Sequence, residues 1–146
     1  MSLVFRRLAP NDIALLHDVA DDVFDDRVEP ERARRFLADR RAILVVAVTG
    51  GTVVGQIQAI VHLHPDAPPD LFIDNLGVAP AWRRRGIARE LIALARAAGR
   101  EQGADEGWVL TEGDDEVAGA VYESAGGAPS PTILFTFPAC EEGGRD

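Results

Sequence analysis

The chain has 146 residues, 47% of them hydrophobic, and sets 24 Asp plus Glu against 15 Lys plus Arg for a formal net charge of -9. That size and apolar content fit one compact domain with one core, expected to span residues 1–140 with a polar tail at 141–146. The acidity, with a pI near 4.7, argues against sequence-independent binding to nucleic acid, which depends on neutralising phosphates, and favours cationic partners.

In chain order, "LVFRRL" has a short strand's composition and "APND" supplies a turn and a helix cap. Ile13, Leu16, Val19, Ala20, Val23 and Phe24 then recur at three- and four-residue spacings, which predicts a first helix after Asn11. The acidic "DDVFDDRVEPE" leads to a second helix from Glu31 to about Asp39, with Pro30 at its start where a missing N–H does no harm. "AILVVAV", the tight turn "TGG" and "TVVGQIQAIV" read as a hairpin. The prolines of "HLHPDAPPD" end its second strand, and "LFIDNLGV" follows as a third central strand.

From Gly86 to Gly103 the pattern is strongly helical. Ile87, Leu91, Leu94 and Ala98 lie on one side with Ala88, Ile92 and Ala95 beside them, a stripe wide enough to lie flat on a sheet. "GWVLTE" reads as a strand, "GDDEVAGAVYESAGG" as a helix capped by Asp114 or Asp115 and ended by glycines, and "PTILFTF" as a last strand. The order predicts an α/β sandwich around a mixed sheet. No apolar run reaches the roughly 18 to 20 residues that span a bilayer, and "MSLVFRRLAPND" lacks the apolar core of a secretory signal, so a cytoplasmic protein without a membrane partner is expected. The single cysteine, Cys140, sits in "PACEEGGRD" and gives no support to a disulfide or a thiol site.

Three consecutive arginines in "WRRRGIA", at Arg83, Arg84 and Arg85, are conspicuous in so acidic a chain. A strand, a short turn and a glycine opening a helix describe an anion site, because the first N–H groups of a helix lack internal partners and sit at the positive end of its dipole. Gly86 would let a phosphate approach the backbone, Ala88 would keep the next turn uncrowded, and arginines would add charge-assisted donors. Neither a Walker loop nor a dinucleotide fingerprint is present. Read alone, the arginines fit equally well a solvated turn before an amphipathic helix.

"NLGVAPAWRRRGIARELI" resembles the central motif of the GNAT superfamily of acyl-coenzyme A-dependent N-acyltransferases, a strand ending in L-x-V-x-P followed by [R/Q]-x-x-G-x-[G/A]. The matches are Leu76, Val78, Pro80, Arg83, Gly86 and Ala88, and "VYESAGG" resembles the family's Y-x-x-x-G segment at Tyr122 and Gly126. The element order agrees over nearly the entire chain. The resemblance implies a mixed, mainly antiparallel sheet of six to seven strands flanked by about four helices and splayed between the fourth and fifth strands. It also implies acetyl-coenzyme A as cosubstrate, no metal, and direct transfer of acetyl to a primary amine.

By the same resemblance, the N–H groups from Arg83 through Ile87 to Ala88 would cradle the pyrophosphate. The strand edge at Leu76, Gly77 and Val78 would pair with the pantetheine arm, and an N–H around Leu76 would polarise the thioester carbonyl. Gly77 marks either the bulge that starts the splay or close packing. Tyr122 would protonate the departing thiolate; without the motif it reads as its helix's core anchor. For the general base, Asp74 shares strand parity with Leu76 and Val78, though it fits a capping or salt-bridging carboxylate equally, and His62 and His64 are the other choices. His62, His64 and Asp66 lack a third strong ligand and are interrupted by Pro65, so no metal site is expected there.

Within the superfamily the chain is most similar to the short aminoglycoside 3-N-acetyltransferases, which implies a small, cationic amine substrate attracted by carboxylates. Asp21, Asp22, Asp25, Asp26 and Glu29 form one acidic cluster and Asp114, Asp115 and Glu116 a second, although such carboxylates also serve as solvated surface or helix-dipole partners. Two features depart from that subgroup. Asp74-Asn75 replaces its aromatic–acid pair before L-x-V, and "APSPTILFTF" lacks its acidic residues near the end. Rival readings are an acetyltransferase of another small amine or a protein amine, and a non-catalytic coenzyme A-binding module. The resemblance leaves a homodimer open, with no interface legible in the sequence.

Overall fold

A computed structural model describes residues 2–140; the tail expected at 141–146 lies outside the described residues. Five strands form one mixed sheet in the order β1 (Leu3–Arg7), β2 (Ala42–Thr49), β3 (Thr52–His62), β4 (Asp70–Val78) and β5 (Gly107–Val109). The first four pair antiparallel and β5 runs parallel to β4. Three α-helices, α1 (Pro30–Ala38), α2 (Ile87–Glu101) and α3 (Glu116–Ser124), and two 3₁₀ helices at Pro10–His17 and Pro80–Trp82 complete the described chain. None of these helices is long and apolar enough to cross a membrane.

The core lies between the sheet and α2. Ile43, Val45 and Ala47 of β2, Val53 and Ile57 of β3 and Leu71 of β4 are buried, as are Ile87, Leu91, Ile92, Ala95 and Ala98 of α2. The β2–β3 hairpin turns through Gly50 and Gly51, both at positive φ (55° and 81°), the backbone that a two-residue turn needs to match strand twist. Gly55 and Gly99 let α2 press close: a Cβ on Gly55 would lie 3.1 Å from Ile87, and one on Gly99 3.2 Å from Leu71.

Three sequence expectations need correction. The first predicted helix is a 3₁₀ helix that stops at His17, because Val53 N–H donates to Asp18 O and Ala20 N–H to Val53 O, each at 2.9 Å. That pairing draws Val19 alongside β3 and overrides the apolar periodicity. Asn11 is not its cap; Asp12 accepts from the Ala9 N–H at 2.8 Å. The sheet has five strands rather than six to seven: β5 covers only three residues of "GWVLTE", and "PTILFTF" forms no strand within this chain. The remaining elements lie where the periodicity puts them, and the four expected helices appear as three α-helices and a 3₁₀ helix, with a further 3₁₀ turn after β4.

Candidate active site

β4 changes character half-way along. Leu71, Phe72 and Ile73 are bonded to β3 on one side and to Gly107, Trp108 and Val109 of β5 on the other. Opposite Gln58 and Ala59 the register slips, so Asp74 is the extra residue of a bulge, and beyond it no residue of β4 pairs with β5. The expected splay between the fourth and fifth strands therefore begins at Asp74, and Asp74–Val78 presents a free edge whose alternate backbone groups have no sheet partner. The bulge is at Asp74, not Gly77. Gly77 pairs in register with Gln56, and a Cβ there would overlap the Val23 carbonyl oxygen, so close packing explains it.

At the end of that edge the chain passes through Pro80–Trp82 into α2. Arg84 (φ 62°) and Gly86 (φ 79°) both adopt left-handed backbone, and nothing lies within 4 Å of where a Gly86 Cβ would stand. No side chain caps the start of α2, leaving the first-turn N–H groups available at its positive end. The arginines are partly committed elsewhere. Arg83 Nε donates to Val78 O at 3.0 Å, clamping the turn to the strand, and the Arg85 guanidinium lies 4.6 Å above the Trp82 ring. Beside this turn, Gly86, Arg89, Arg96 and Arg100 of α2 and Ser124 of α3 line a cleft of about 440 Å³. Those three α2 arginines were missed in the sequence; their seven- and four-residue spacing on the helix's polar side is the signal that finds them.

A second cleft of about 460 Å³ lies against β4, walled by Asp25, Asp26 and Glu29 from the acidic segment and by Asp74 and Asn75 from the bulge, so that four carboxylates outnumber the two arginines, Arg27 and Arg32, that also line it. Phe24 and Phe36 supply apolar wall. A hydrogen-bonded chain fixes the acidic segment to the sheet. Asn75 Nδ2 donates to Asp25 at 3.0 Å, and the fully buried Gln56 donates through Nε2 to Asn75 Oδ1 at 2.6 Å and to Val23 O at 3.0 Å. Asp21 and Asp22 do not reach this cleft. Glu29 is occupied, its carboxylate capping α1 by accepting from the Arg32 N–H (2.9 Å) and the Glu31 N–H (3.2 Å), which hold it below the usual glutamate range.

Tyr122 sits on α3, partly buried against the core, and burial, seconded by the negative charge of Asp115, raises its phenol above the ordinary value. Asp115 caps α3, accepting from the Ala118 N–H at 3.0 Å. His62 and His64 lie at the other end of β4, 3.7 and 3.2 Å from Asp70, with His62 stacked on Phe72. Six residues of strand, about 20 Å, separate Asp70 from Leu76, so the geometry removes both histidines from the free edge. Among the described residues, no three His, Cys, Asp or Glu side chains converge as metal ligands.

A family model for the acetyltransferase (GNAT) family matches residues 13–127, which includes the free edge, the α2 turn, both clefts and α3. The chain belongs to the GNAT family. As a GNAT enzyme it is an N-acetyltransferase with acetyl-coenzyme A as donor. It is 25% identical over 100 residues, 65% of this chain and 68% of the relative, to aminoglycoside N(6')-acetyltransferase type 1 of Salmonella typhimurium. Among solved structures, aminoglycoside acetyltransferase HMB0005 from an uncultured soil metagenomic sample superposes with a TM-score of 0.82 at 29% identity, covering 96% of this chain and 100% of that one. AAC(6')-Iy in complex with the bisubstrate analogue CoA-S-monomethyl-acetylneamine superposes at 0.80 and 18% identity, over 96% and 100%, a likeness of fold. The GNAT resemblance drawn from the central motif thus holds, whereas the narrower likeness to 3-N-acetyltransferases gives way to relatives named for the 6' position.

Proposed function

We propose that this enzyme transfers acetyl from acetyl-coenzyme A to a primary amine of an aminoglycoside, the 6'-amine, by direct attack. The observation that carries the reading is the acidic cleft. It sets Asp74 and Asn75, at the start of the free β4 edge, against Asp25 and Asp26, so cationic groups held there would lie beside that edge. The names of the matched relatives support the aminoglycoside class and the 6' position.

The coenzyme site fits the residues present. The uncapped start of α2, with the open space at Gly86, suits a pyrophosphate, and Arg89 and Arg96 beside it suit further phosphate. Acetyl-coenzyme A supplies the activated acetyl group as a thioester. The edge at Leu76, Gly77 and Val78 pairs with its pantetheine amides, and a backbone N–H around Leu76 donates to the carbonyl oxygen as negative charge develops there. An alkylammonium with a pKa of about 10 must lose a proton before attack, and Asp74 accepts it directly or through one water. Tyr122 returns a proton to the departing sulfur. On reference values of about 10 and 8.5 that step is uphill by about 2 kcal/mol, and somewhat more with the raised phenol, which also stays protonated until needed.

Thiol release from acetyl-coenzyme A over aminoglycosides bearing a 6'-amine, aminoglycosides with a 6'-hydroxyl, polyamines and peptides tests the proposal. Turnover restricted to the first group, with the product acetylated at the 6' nitrogen by NMR, is the expected result. Acetylation at the 3 position would overturn the regiochemistry, and turnover on polyamines or peptides alone would overturn the substrate class. Coenzyme binding without turnover on any amine would leave a binding module.

A further inference from the structure

Between Ala20, whose N–H donates to Val53 O, and Glu29, which caps α1, residues 21–28 form neither helix nor strand. Among the described residues, no backbone–backbone hydrogen bond involves this stretch. Yet it carries Asp25 and Asp26, which face Asp74 across the acidic cleft. Asp22, at its start, takes left-handed backbone (φ 65°), a conformation that persists in a residue with a side chain only where the surroundings hold it.

The hold is a clasp of three residues. A Cβ on Gly77 would lie 2.0 Å from Val23 O, so only a residue without a side chain lets the segment come so close to β4. Gln56 pairs in register with Gly77, which puts both on one face of the sheet, and its Nε2 donates to that same carbonyl at 3.0 Å. The second Nε2 hydrogen goes to Asn75 Oδ1 at 2.6 Å, and Asn75 Nδ2 carries the contact on to Asp25 at 3.0 Å.

The clasp has one polarity. Val23 O and an ionised Asp25 carboxylate accept and cannot donate, so Asn75 must turn Nδ2 to Asp25 and Oδ1 to Gln56, and Gln56 must turn Nε2 to both acceptors. That orientation leaves the buried Gln56 Oε1 without a partner among the described residues, in a side chain with no exposure at all. A buried amide oxygen without a partner costs stability, and an apolar side chain would fill the same place without that cost. The amide is explained by what its nitrogen holds.

We infer that Gln56 is a positioning residue for the acceptor: through Asn75 it sets where the Asp25 carboxylate stands against Asp74, and thereby the affinity for a cationic amine rather than the rate of transfer. Gln56 itself lines neither cleft. Asn75 joins the two parts of the site, with its backbone in the free β4 edge and its side chain in the cleft wall, so the clasp keeps the acidic wall in register with that edge. The inference rests on the acidic cleft being the acceptor's site.

Gln56→Met keeps the length of the side chain and removes its donors. With an aminoglycoside bearing a 6'-amine, it should raise KM for the amine about tenfold and leave kcat and KM for acetyl-coenzyme A within about twofold. Asp25→Asn keeps the hydrogen-bonding shape but removes the charge, and should raise the same KM; the two together should raise it little more than either alone. Asn75→Ala cuts the same path and leaves the bond to Val23 in place, so it should give the same rise even where Gln56→Met fails to fold. Without any substrate, hydrogen exchange at the amides of residues 24–28 should quicken about tenfold in Gln56→Met while α2 keeps its protection. Additive effects of Gln56→Met and Asp25→Asn, a fall in kcat with KM unchanged, or unaltered exchange at residues 24–28 would each overturn the positioning role and leave the reading of the cleft intact. An unchanged amine KM in Asp25→Asn would overturn the reading of the cleft, and the inference with it.

Discussion

From Leu71 to Ile73, β4 is hydrogen-bonded on both sides, and Leu71 and Ile73 are buried; from Asp74 to Val78 it is bonded on one side only, and Asp74 is exposed. One strand thus serves two purposes, and a single bulge separates them. Pairing on both edges makes the first half part of the scaffold, whereas the second keeps donors and acceptors free for something other than protein. Substitutions in the two halves should therefore fail in different ways. Leu71→Ala should give the largest effect. Leu71 packs where Gly99 of α2 leaves room for it, and emptying that space should cost about 3 kcal/mol in urea unfolding. The protein that remains folded should keep its KM for acetyl-coenzyme A. A loss below about 1 kcal/mol would mean the core collapses around the gap.

Asp74→Asn should do the reverse. The side chain is exposed at the bulge, so the unfolding midpoint should stay within experimental error. Removal of a proton acceptor should lower kcat/KM for the amine about 100-fold. Raising the pH should recover part of the loss, because more of the acceptor is then already deprotonated. Loss of stability with unchanged turnover would assign Asp74 to the scaffold and erase the contrast between the halves.

The legibility of these parts in the sequence follows the range of the interactions that make them. The β4 to α2 turn was readable because its determinants are consecutive: a strand, Pro80, the arginines and a glycine at positive φ. α3 was readable for the same reason, with its cap narrowed to Asp114 or Asp115, of which Asp115 is the one that accepts from the Ala118 N–H. The bulge at Asp74 was not, since register is set by the facing residues of β3 rather than by anything in "FIDNL". Nor was the early end of the first helix, which Val53 dictates from more than thirty residues away. "PTILFTF" reads as a last strand, yet it forms none among the described residues, because a strand needs a paired edge that its composition cannot supply. The acidic cleft was half legible. Asp25, Asp26 and Glu29 were singled out with Asp21 and Asp22, but only folding shows that the first three share a wall with Asp74.

Tyr122→Phe removes one oxygen from a partly buried ring and leaves its packing in place. The expected effect is smaller, about a tenfold drop in kcat, since a thiolate can also be protonated by water. Coenzyme binding by calorimetry should be nearly unchanged. Because the phenol is raised, any fall in rate that reports its ionisation should come at higher pH than an ordinary tyrosine would give, and should vanish in the variant. Unchanged turnover would return Tyr122 to the role of a helix anchor.

Glu29→Gln should have the smallest effect and divides the acidic cleft itself. Asp74 and Glu29 both line it, yet the Glu29 carboxylate already accepts two N–H groups at the start of α1. Its charge should therefore count toward the helix more than toward the acceptor, and KM for the amine should move far less than in Asp74→Asn. The stability effect has a defined pH dependence. Hydrogen bonds from the Arg32 and Glu31 N–H groups lower the folded-state pKa below the ordinary value of 4.5. The contribution is thus complete above pH 4.5 and is lost as the pH falls through the depressed value, where both states bind the proton. Thermal unfolding of Glu29→Gln should lie slightly below wild type at pH 7, and the two curves should converge in acid. A gap that widened below pH 4.5 would mean that the carboxylate is not acting as the cap of α1.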